Sequence, residues 1–109
     1  MVDDSSGEQA VKTVKVQSKK SVAKQVSKAP EAVGDAFVDM IEKIQGMSLE
    51  QVMADNGLDF EKDQSRKKEG VWTLRISKGW RALCLLRTGP VIEIFGIKDP
   101  TAAHSNRRR

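Results

Sequence analysis

The strongest hydrophobic pattern in this 109-residue chain is that of an amphipathic helix between Pro30 and Gly46. Apolar residues recur there at the spacing that lines one side of a helix: Val33, Phe37, Met40, Ile41 and Ile44. Proline fits the first turn of a helix, because its missing N–H would have no partner there. Glycine favours the end of a helix. The pattern therefore predicts a helix bounded by these two residues.

Weaker patterns predict a strand and two more helices around this one. Alternating valines within Val11–Gln17 indicate a short strand. Ser18 is a candidate N-cap for a helix that extends to about Lys28. Ser48 is a candidate N-cap for a short helix over Leu49–Asp55. The first two helices would form a hairpin, because only a short connection separates them.

The C-terminal half predicts an antiparallel meander that follows a polar loop at residues 58–70, which Leu58 and Phe60 should attach to the core. Three runs rich in apolar residues have the length and alternation of strands: Val71–Ile76, Trp80–Arg87 and Val91–Ile97. The turn Ser77-Lys78-Gly79 ends on the glycine that a bulged hairpin turn requires. The turn Thr88-Gly89-Pro90 has similar turn residues. Together with the helices, this order predicts an α+β fold of an N-terminal strand, a helical hairpin and a β-meander, with the first strand joined to an edge of the meander.

The first turn also predicts which residues of the sheet lie opposite each other. A three-residue turn pairs Ile76 with Trp80 and Trp72 with Cys84. Alternate residues of each strand point to the same face, so these residues share one face, which the helices should cover. The two tryptophans are therefore predicted to belong to the core rather than to a base-stacking surface. The lone Cys84 is expected to be a buried and unreactive thiol.

The other face of the predicted sheet carries two arginines directly opposite each other, Arg75 and Arg81. Like charges at this spacing are destabilising, so an anion or a carboxylate should lie between them. Glu93 would share this face and is the candidate carboxylate. The alternative is a phosphate-binding pair, because each guanidinium offers a planar fork of donors. In this register Ile97, near the end of the last strand, would lie beside Arg81.

Charge is distributed unevenly along a chain whose net charge is +4. Residues 31–63 are strongly acidic and residues 66–109 are strongly basic. A basic block of this kind indicates a polyanion partner. Candidate phosphate contacts, in addition to the arginine pair, are Arg66, Lys67, Lys68, Arg107 and Arg108, with Arg109 beside them.

Two stripes of charge lie on the predicted helical hairpin. One contains Lys20, Lys24 and Lys28, and the other contains Glu31, Asp35 and Asp39. Residues four apart lie on one side of a helix. The stripes either pair with each other across the hairpin, or the lysines contact RNA phosphates.

His104, the only histidine of the chain, follows the last predicted strand and Lys98. Cleavage of RNA by its own 2′-OH requires a base, an acid and cations for the phosphorane charge. Histidine titrates in the range that suits an acid or a base, and arginines supply the electrostatic stabilisation. The sequence has no P-loop, dinucleotide motif or zinc-ligand spacing, so no metal and no small-molecule cofactor are expected.

Length and composition suggest a single cytoplasmic domain. Residues 1–10 are expected to form a disordered tail and residues 11–109 one domain. The sequence has no apolar run of transmembrane length and no signal peptide, so no membrane association is expected.

Three segments resemble the RelE/ParE toxin superfamily. They are G-L-D-F-E-K (Gly57–Lys62), G-V-W-T-L-R-I-S-K-G-W-R-A-L (Gly70–Leu83) and V-I-E-I-F-G-I-K-D (Val91–Asp99). The order of elements over residues 11–109 is similar to that family as well. RelE-like members cleave mRNA on the ribosome and are silenced by a cognate antitoxin. The resemblance therefore implies a ribosome-dependent mRNA endonuclease with an antitoxin partner.

The resemblance also implies roles for individual residues. Arg75 and Arg81 match the cations on the family's strands, and Lys98 matches the cation after the last strand. His104 falls at the catalytic tail position in one register, whereas a second register places Ala102 there. The chain has no tyrosine, so the tyrosine found at this position in many relatives is absent.

Two other functions remain open at this point. The first is a non-enzymatic binder, which would be either a ParE-like inhibitor of DNA gyrase without nuclease residues or an inactive relative that still binds RNA or protein. The second is an adaptor that binds a helix of another protein.

Overall fold

The computed structural model describes residues 12–100, and the predicted disordered tail lies outside them. The helices are α1 (Lys20–Ser27), α2 (Glu31–Gln45) and α3 (Leu49–Ala54). The strands are β1 (Lys15–Ser18), β2 (Glu61–Lys62), β3 (Val71–Ser77), β4 (Trp80–Arg87) and β5 (Val91–Lys98). The predicted α+β architecture is confirmed.

The strands form one five-stranded sheet in the order β1-β5-β4-β3-β2. The last three strands make the predicted antiparallel meander. Strand β1 joins β5 in parallel, as the chain can do because the helices provide the crossover that a parallel pair needs. The prediction that the first strand joins an edge of the meander is therefore confirmed. It begins four residues later than the predicted strand, at Lys15.

The helices cover one face of the sheet, which we call the inner face. Its core residues come from both layers, including Val22, Phe37, Met40, Ile44, Val52, Leu74, Ala82, Cys84, Ile92 and Ile94. Full burial of such an aliphatic side chain stabilises the fold by roughly 1.5–3 kcal/mol. Trp72 and Trp80 pack against this core, which confirms their predicted place. Burial raises the pKa of the Cys84 thiol to about 12, so the thiol stays protonated, as expected of an inert cysteine.

The ends of two helices follow the sequence prediction, and the start of a third does not. Helix α2 runs between Pro30 and Gly46 as predicted. Ser48 caps α3 in a reciprocal capping box with Gln51, an arrangement that satisfies two backbone N–H groups. The prediction that Ser18 caps α1 is wrong. Ser18 is the last residue of β1, and Lys19 is the N-cap without a side-chain hydrogen bond.

The sheet register agrees with the prediction at the arginine pair and differs on both sides of it. Arg75 lies opposite Arg81 as expected. At the turn, Trp80 pairs with Ser77 rather than with Ile76, because an irregularity lies between residues 75 and 77. On the other side, Arg81 pairs with Lys98, one residue beyond the expected Ile97. A bulge between β4 and β5 accounts for this shift, since it adds one residue to a strand.

The predicted polar loop contains more structure than expected. Leu58 and Phe60 are buried in the core as predicted. Strand β2 then pairs with β3, and a 3-10 segment follows at Gln64–Glu69. Neither short element has the periodicity that identifies longer ones in a sequence.

The lysine and acidic stripes of the helical hairpin do not pair with each other. Within residues 12–100 no salt bridge joins α1 to α2. The members of both stripes are exposed.

Candidate nucleic-acid interface

A row of three cations crosses the sheet on the face that the helices leave open, which we call the outer face. Arg75 on β3 lies opposite Arg81 on β4, and Arg81 lies opposite Lys98 on β5. Residues directly opposite each other point to the same face. Adjacent strands are about 4.8 Å apart, so the three Cα atoms span on the order of 10 Å. The sequence predicted all three cations, and the structure brings them into one line, which we call the cation row.

The guanidinium of Arg81 is held by groups of its own chain. Its Nε donates to Thr73 Oγ1 at 3.1 Å, its Nη1 donates to Asp59 Oδ2 at 3.1 Å, and its Nη2 donates to the Asp59 carbonyl oxygen at 2.8 Å. A carboxylate oxygen of Glu61 lies 3.8 Å from Nη2. Three of its five N–H groups are therefore engaged, and only 23% of the side chain is exposed.

The carboxylates beside Arg81 are not the one that the sequence suggested. Glu93 contacts Arg87 instead, with 2.7 Å between Oε1 and Nε. Asp59 and Glu61 come from the connection before β3, whose backbone path the sequence did not reveal. The sequence nevertheless contained a signal that these acids lie together. The acids at positions 59, 61 and 63 alternate as they would on one side of an extended segment.

The backbone around Asp59 fixes the position of the two oxygen atoms that contact Arg81, Oδ2 and the carbonyl oxygen. Asp59 has a φ of 47°, a left-handed conformation that aspartate adopts more readily than most residues. Buried Leu58 and Phe60 flank it on either side. The carbonyl of Leu58 also accepts a 2.7 Å hydrogen bond from the Arg75 N–H. The carboxylate and carbonyl of Asp59 are thereby presented together to Arg81.

Asp63 adds a partly buried negative charge at the Lys98 end of the cation row. A depression of about 260 Å³ on the outer face contains Asp63, Arg81 and Lys98 among its lining residues. Asp63 Oδ1 accepts hydrogen bonds from the Ser65 hydroxyl at 2.7 Å and the Ser65 N–H at 3.0 Å. These hydrogen bonds, with the Ser65 hydroxyl foremost, lower the pKa of Asp63 although partial burial raises it. Its Oδ2 is buried and has no hydrogen-bond partner in the described part of the chain.

Arg75 is the most accessible arginine of the cation row. Its side chain is exposed. Among residues 12–100, no carboxylate forms a salt bridge with it. Arg75 is therefore the member of the row best placed to bind a phosphate in the conformation described.

The remaining predicted phosphate contacts are only partly described. Arg66 and Lys68 belong to the 3-10 segment beside the outer face, and Lys68 is exposed. Arg66 forms a 2.9 Å salt bridge with Glu69. The Lys67 side chain lies outside the described part of the chain. His104, Arg107 and Arg108 lie outside it as well, so their predicted roles stay predictions.

The described residues provide electrostatic groups rather than a metal site. Between residues 12 and 100, no three His, Cys, Asp or Glu side chains come together to hold a metal ion. In the same range, no helix is long and apolar enough to cross a membrane. The arrangement can bind an anion at the cation row, and its nearest titratable groups in the depression are carboxylates and lysines.

Comparison with known proteins identifies the fold. No family model matches the sequence, and no curated protein matches it at a significant level. Solved structures do match, and two of them are RelE–RelB complexes. A chain of the archaeal RelE–RelB complex from Pyrococcus horikoshii OT3 aligns with a TM-score of 0.58 and 20% identity, over 82% of this chain and 97% of that chain. A chain of the RelB–RelE antitoxin–toxin complex from Methanococcus jannaschii aligns with a TM-score of 0.61 and 12% identity, over 83% of this chain and 96% of that chain. The protein therefore has a RelE-like fold.

Proposed function

We propose that this protein is the toxin of a toxin–antitoxin pair and acts in the cytoplasm as a ribosome-dependent mRNA endonuclease. The observation that carries the proposal is the cation row of Arg75, Arg81 and Lys98 on the open face of a RelE-like fold. Cations that cluster on a sheet cost electrostatic energy. An RNA phosphate would offset that cost.

The proposed partner follows from the context of the similar structures. Both were solved as complexes of RelE with RelB, and one is described as an antitoxin–toxin complex. By analogy, a cognate antitoxin would bind this chain and silence it. An acidic or apolar segment that covers the outer face would block the cation row.

In the proposed mechanism the chain binds the scissile phosphate and stabilises its growing charge. The ribose 2′-OH attacks the phosphorus, the bond to the 5′-oxygen breaks, and a cyclic phosphate and a free 5′-OH result. Arg75 and Lys98 would contact the phosphate oxygens. Arg81 would contribute its charge from a fixed position, because its donors are largely engaged. His104 would transfer a proton as general acid or base, and no metal would take part.

The engagement of Arg81 by Asp59 and Glu61 also favours a second candidate function. An arginine that is already neutralised is of less use to a nuclease than a free one. A non-enzymatic relative, such as a ParE-like inhibitor of DNA gyrase or an inactive RNA-binding protein, would tolerate this arrangement. The two candidates differ in whether mRNA is cut.

A reconstituted translation reaction with one defined mRNA tests the proposal. The 5′ ends of the mRNA are mapped with and without ribosomes, in the presence of the wild-type chain, Arg75→Ala or His104→Ala. Ribosome-dependent cuts are expected with the wild type. Loss of one electrostatic donor should slow them about 100-fold or more, and loss of a general acid or base about 100- to 10,000-fold.

The matched control is Lys24→Ala, which removes an exposed lysine of α1 away from the cation row. It should cut mRNA as the wild type does. Intact mRNA at every enzyme concentration would refute the nuclease proposal. A gyrase supercoiling assay on the same samples would then decide whether the second candidate replaces it.

A further inference from the structure

A second depression lies on the outer face, separate from the one at the cation row. It has a volume of about 470 Å³ and lies between the start of α1 and the 3-10 segment. Its apolar lining residues are Val71, Leu85 and Phe95. Its polar lining residues are the cations Lys19 and Arg66, together with Ser21 and Glu69. Val71 is only 2% exposed yet is not part of the main core. The depression therefore has a small apolar floor of its own on the open side of the sheet.

The bulge in the sheet brings Phe95 into this depression. Gly96 pairs with Leu83 and Ile94 pairs with Cys84, so Phe95 is the additional residue of β5. A bulge interrupts the strict alternation of side chains and can redirect one of them. As a result, a half-buried aromatic ring lines a depression on a face that otherwise carries the cation row.

Arg66 lies over the ring of Phe95. Its guanidinium carbon is 5.6 Å from the ring centroid, and its Nε and Nη2 contact Glu69 Oε1 at 2.9 Å each. Proteins stack unpaired bases on aromatic rings and on the planar guanidinium of arginine, and both surfaces are present here. The aliphatic floor below adds contacts that do not depend on charge.

We infer that this depression is a subsite for one nucleobase of a single-stranded RNA, which stacks against the pair formed by Phe95 and Arg66 while the adjoining phosphate binds Lys19 and the remaining N–H groups of Arg66. The inference rests on the proposed function, because it assumes that the outer face binds RNA. A flat aromatic ring with an attached anion matches an apolar floor with cations on its rim. A side chain of a protein partner would also fill the floor, but it would bring no phosphate for the two cations.

Binding of a five-nucleotide single-stranded RNA at low salt tests the subsite without ribosomes or cleavage. The same RNA is prepared with an abasic residue at each position in turn. With the wild-type chain, an abasic residue at one position should weaken binding about tenfold, the value of a single base–aromatic stack. With Phe95→Leu, the intact RNA should bind about tenfold more weakly, and that abasic residue should have no further effect.

Additional variants separate stacking from charge and from folding. Phe95→Trp keeps an aromatic ring and should retain the abasic effect even if Phe95→Leu folds poorly. Arg66→Lys keeps the charge but loses the planar surface, and should bind the intact RNA several-fold more weakly. Met53→Ala removes a 45% exposed apolar side chain of α3 and should bind as the wild type does.

The outcomes distinguish the subsite from the proposed function. Equal abasic effects in the wild type and Phe95→Leu would overturn the subsite, whereas mRNA cleavage in the translation assay would still stand. Loss of binding to a protein partner in Phe95→Leu, with RNA binding unchanged, would overturn it as well and assign the floor to that partner. If no RNA binds at all, the subsite is refuted, and the cleavage assay decides the proposed function independently.

Discussion

Arg81 is a residue whose role depends on the two groups that Asp59 presents to it. The Asp59 carboxylate and carbonyl both accept hydrogen bonds from the guanidinium. This contact orients Arg81 and at the same time neutralises part of its charge. If neutralisation dominates, weakening the contact should make the outer face a better binding site for polyanions.

The first prediction is that Asp59→Asn binds single-stranded RNA more tightly than the wild type, by up to about fivefold if the contact is worth as much as an exposed ion pair. The amide keeps an oxygen acceptor but loses the negative charge. The free energy of unfolding should fall by no more than about 1 kcal/mol, because Asp59 is 40% exposed and exposed ion pairs contribute little. RNA titration and urea unfolding measure the two effects.

Asp39→Asn, on the exposed side of α2, is the control for charge alone. Weaker binding by Asp59→Asn than by Asp39→Asn would show that orientation of Arg81 matters more than its neutralisation.

The second prediction concerns the stability that Asp63 contributes at different pH values. Its pKa is lowered from the ordinary 3.8, chiefly by the Ser65 hydroxyl. A lowered pKa means that the folded state favours the ionised carboxylate. That stabilisation is fully present above the unfolded value of 3.8 and is lost as the pH falls through the lower folded value.

Urea unfolding of the wild type and Asp63→Asn at about pH 6 and about pH 2.5 measures this effect. The wild type should be the more stable at the higher pH, and the difference should shrink at the lower pH. A difference that is the same at both pH values would show that ionisation of Asp63 does not stabilise the fold.

At the scale of single elements, the capping box of α3 is the most specific local signal in the chain. Ser48 accepts a hydrogen bond from the Gln51 N–H, and the Gln51 side chain accepts one from the Ser48 N–H. A helix of six residues gains little from its own hydrogen bonds, so α3 depends on this cap and on buried Val52.

The third prediction is that Ser48→Ala lowers the free energy of unfolding by about 1 kcal/mol, the usual cost of losing an N-cap. The Ser27 hydroxyl only donates to the Lys24 carbonyl at the exposed end of α1. Ser27→Ala is therefore the matched control and should stay within about 0.5 kcal/mol of the wild type. Urea unfolding checks both variants, and equal losses would indicate that the capping box does not stabilise α3.

Elements with a clear hydrophobic period or clear capping residues could be predicted from the sequence, and shorter ones could not. Helix α2 has both, and its bounds were confirmed. Ser18 has the chemistry of an N-cap, but pairing with Ile94 places it in β1, so tertiary structure determined its role. Strand β2 has only two residues and pairs through contacts with distant residues, which local pattern does not encode.

In the candidate site, too, some features could be predicted from local sequence pattern and others could not. The turn after Ser77 was enough to place Arg75 opposite Arg81. Lys98 joined them only because of a bulge near Phe95, and a hydrophobic pattern does not reveal an extra residue in a strand. The left-handed backbone of Asp59 was equally invisible, since aspartate adopts that conformation only in some contexts.

At the scale of the whole molecule, exposed charge is grouped by element. The helical layer carries exposed acids on α2 and exposed lysines on α1, and the outer face carries the cation row. A polyanion should therefore be repelled by α2 and bind either at the outer face or at α1. The small net charge of +4 conceals this asymmetry, because the acidic and basic parts of the chain largely cancel.

The last prediction is that RNA binding depends on salt to an extent set by the cation row. For single strands, each neutralised phosphate contributes about −0.7 to the slope of log K against log salt concentration. Contacts from Arg75 and Lys98, the two members of the row proposed to reach phosphate oxygens, should contribute about −1.4 to the slope. Arg75→Ala should make this slope less steep by about 0.7, whereas Lys24→Ala should leave it unchanged. Titrations of one short RNA at four salt concentrations measure the slopes. If Lys24→Ala changes the slope as much as Arg75→Ala does, RNA binds through the lysines of α1, and the cation row is not the interface.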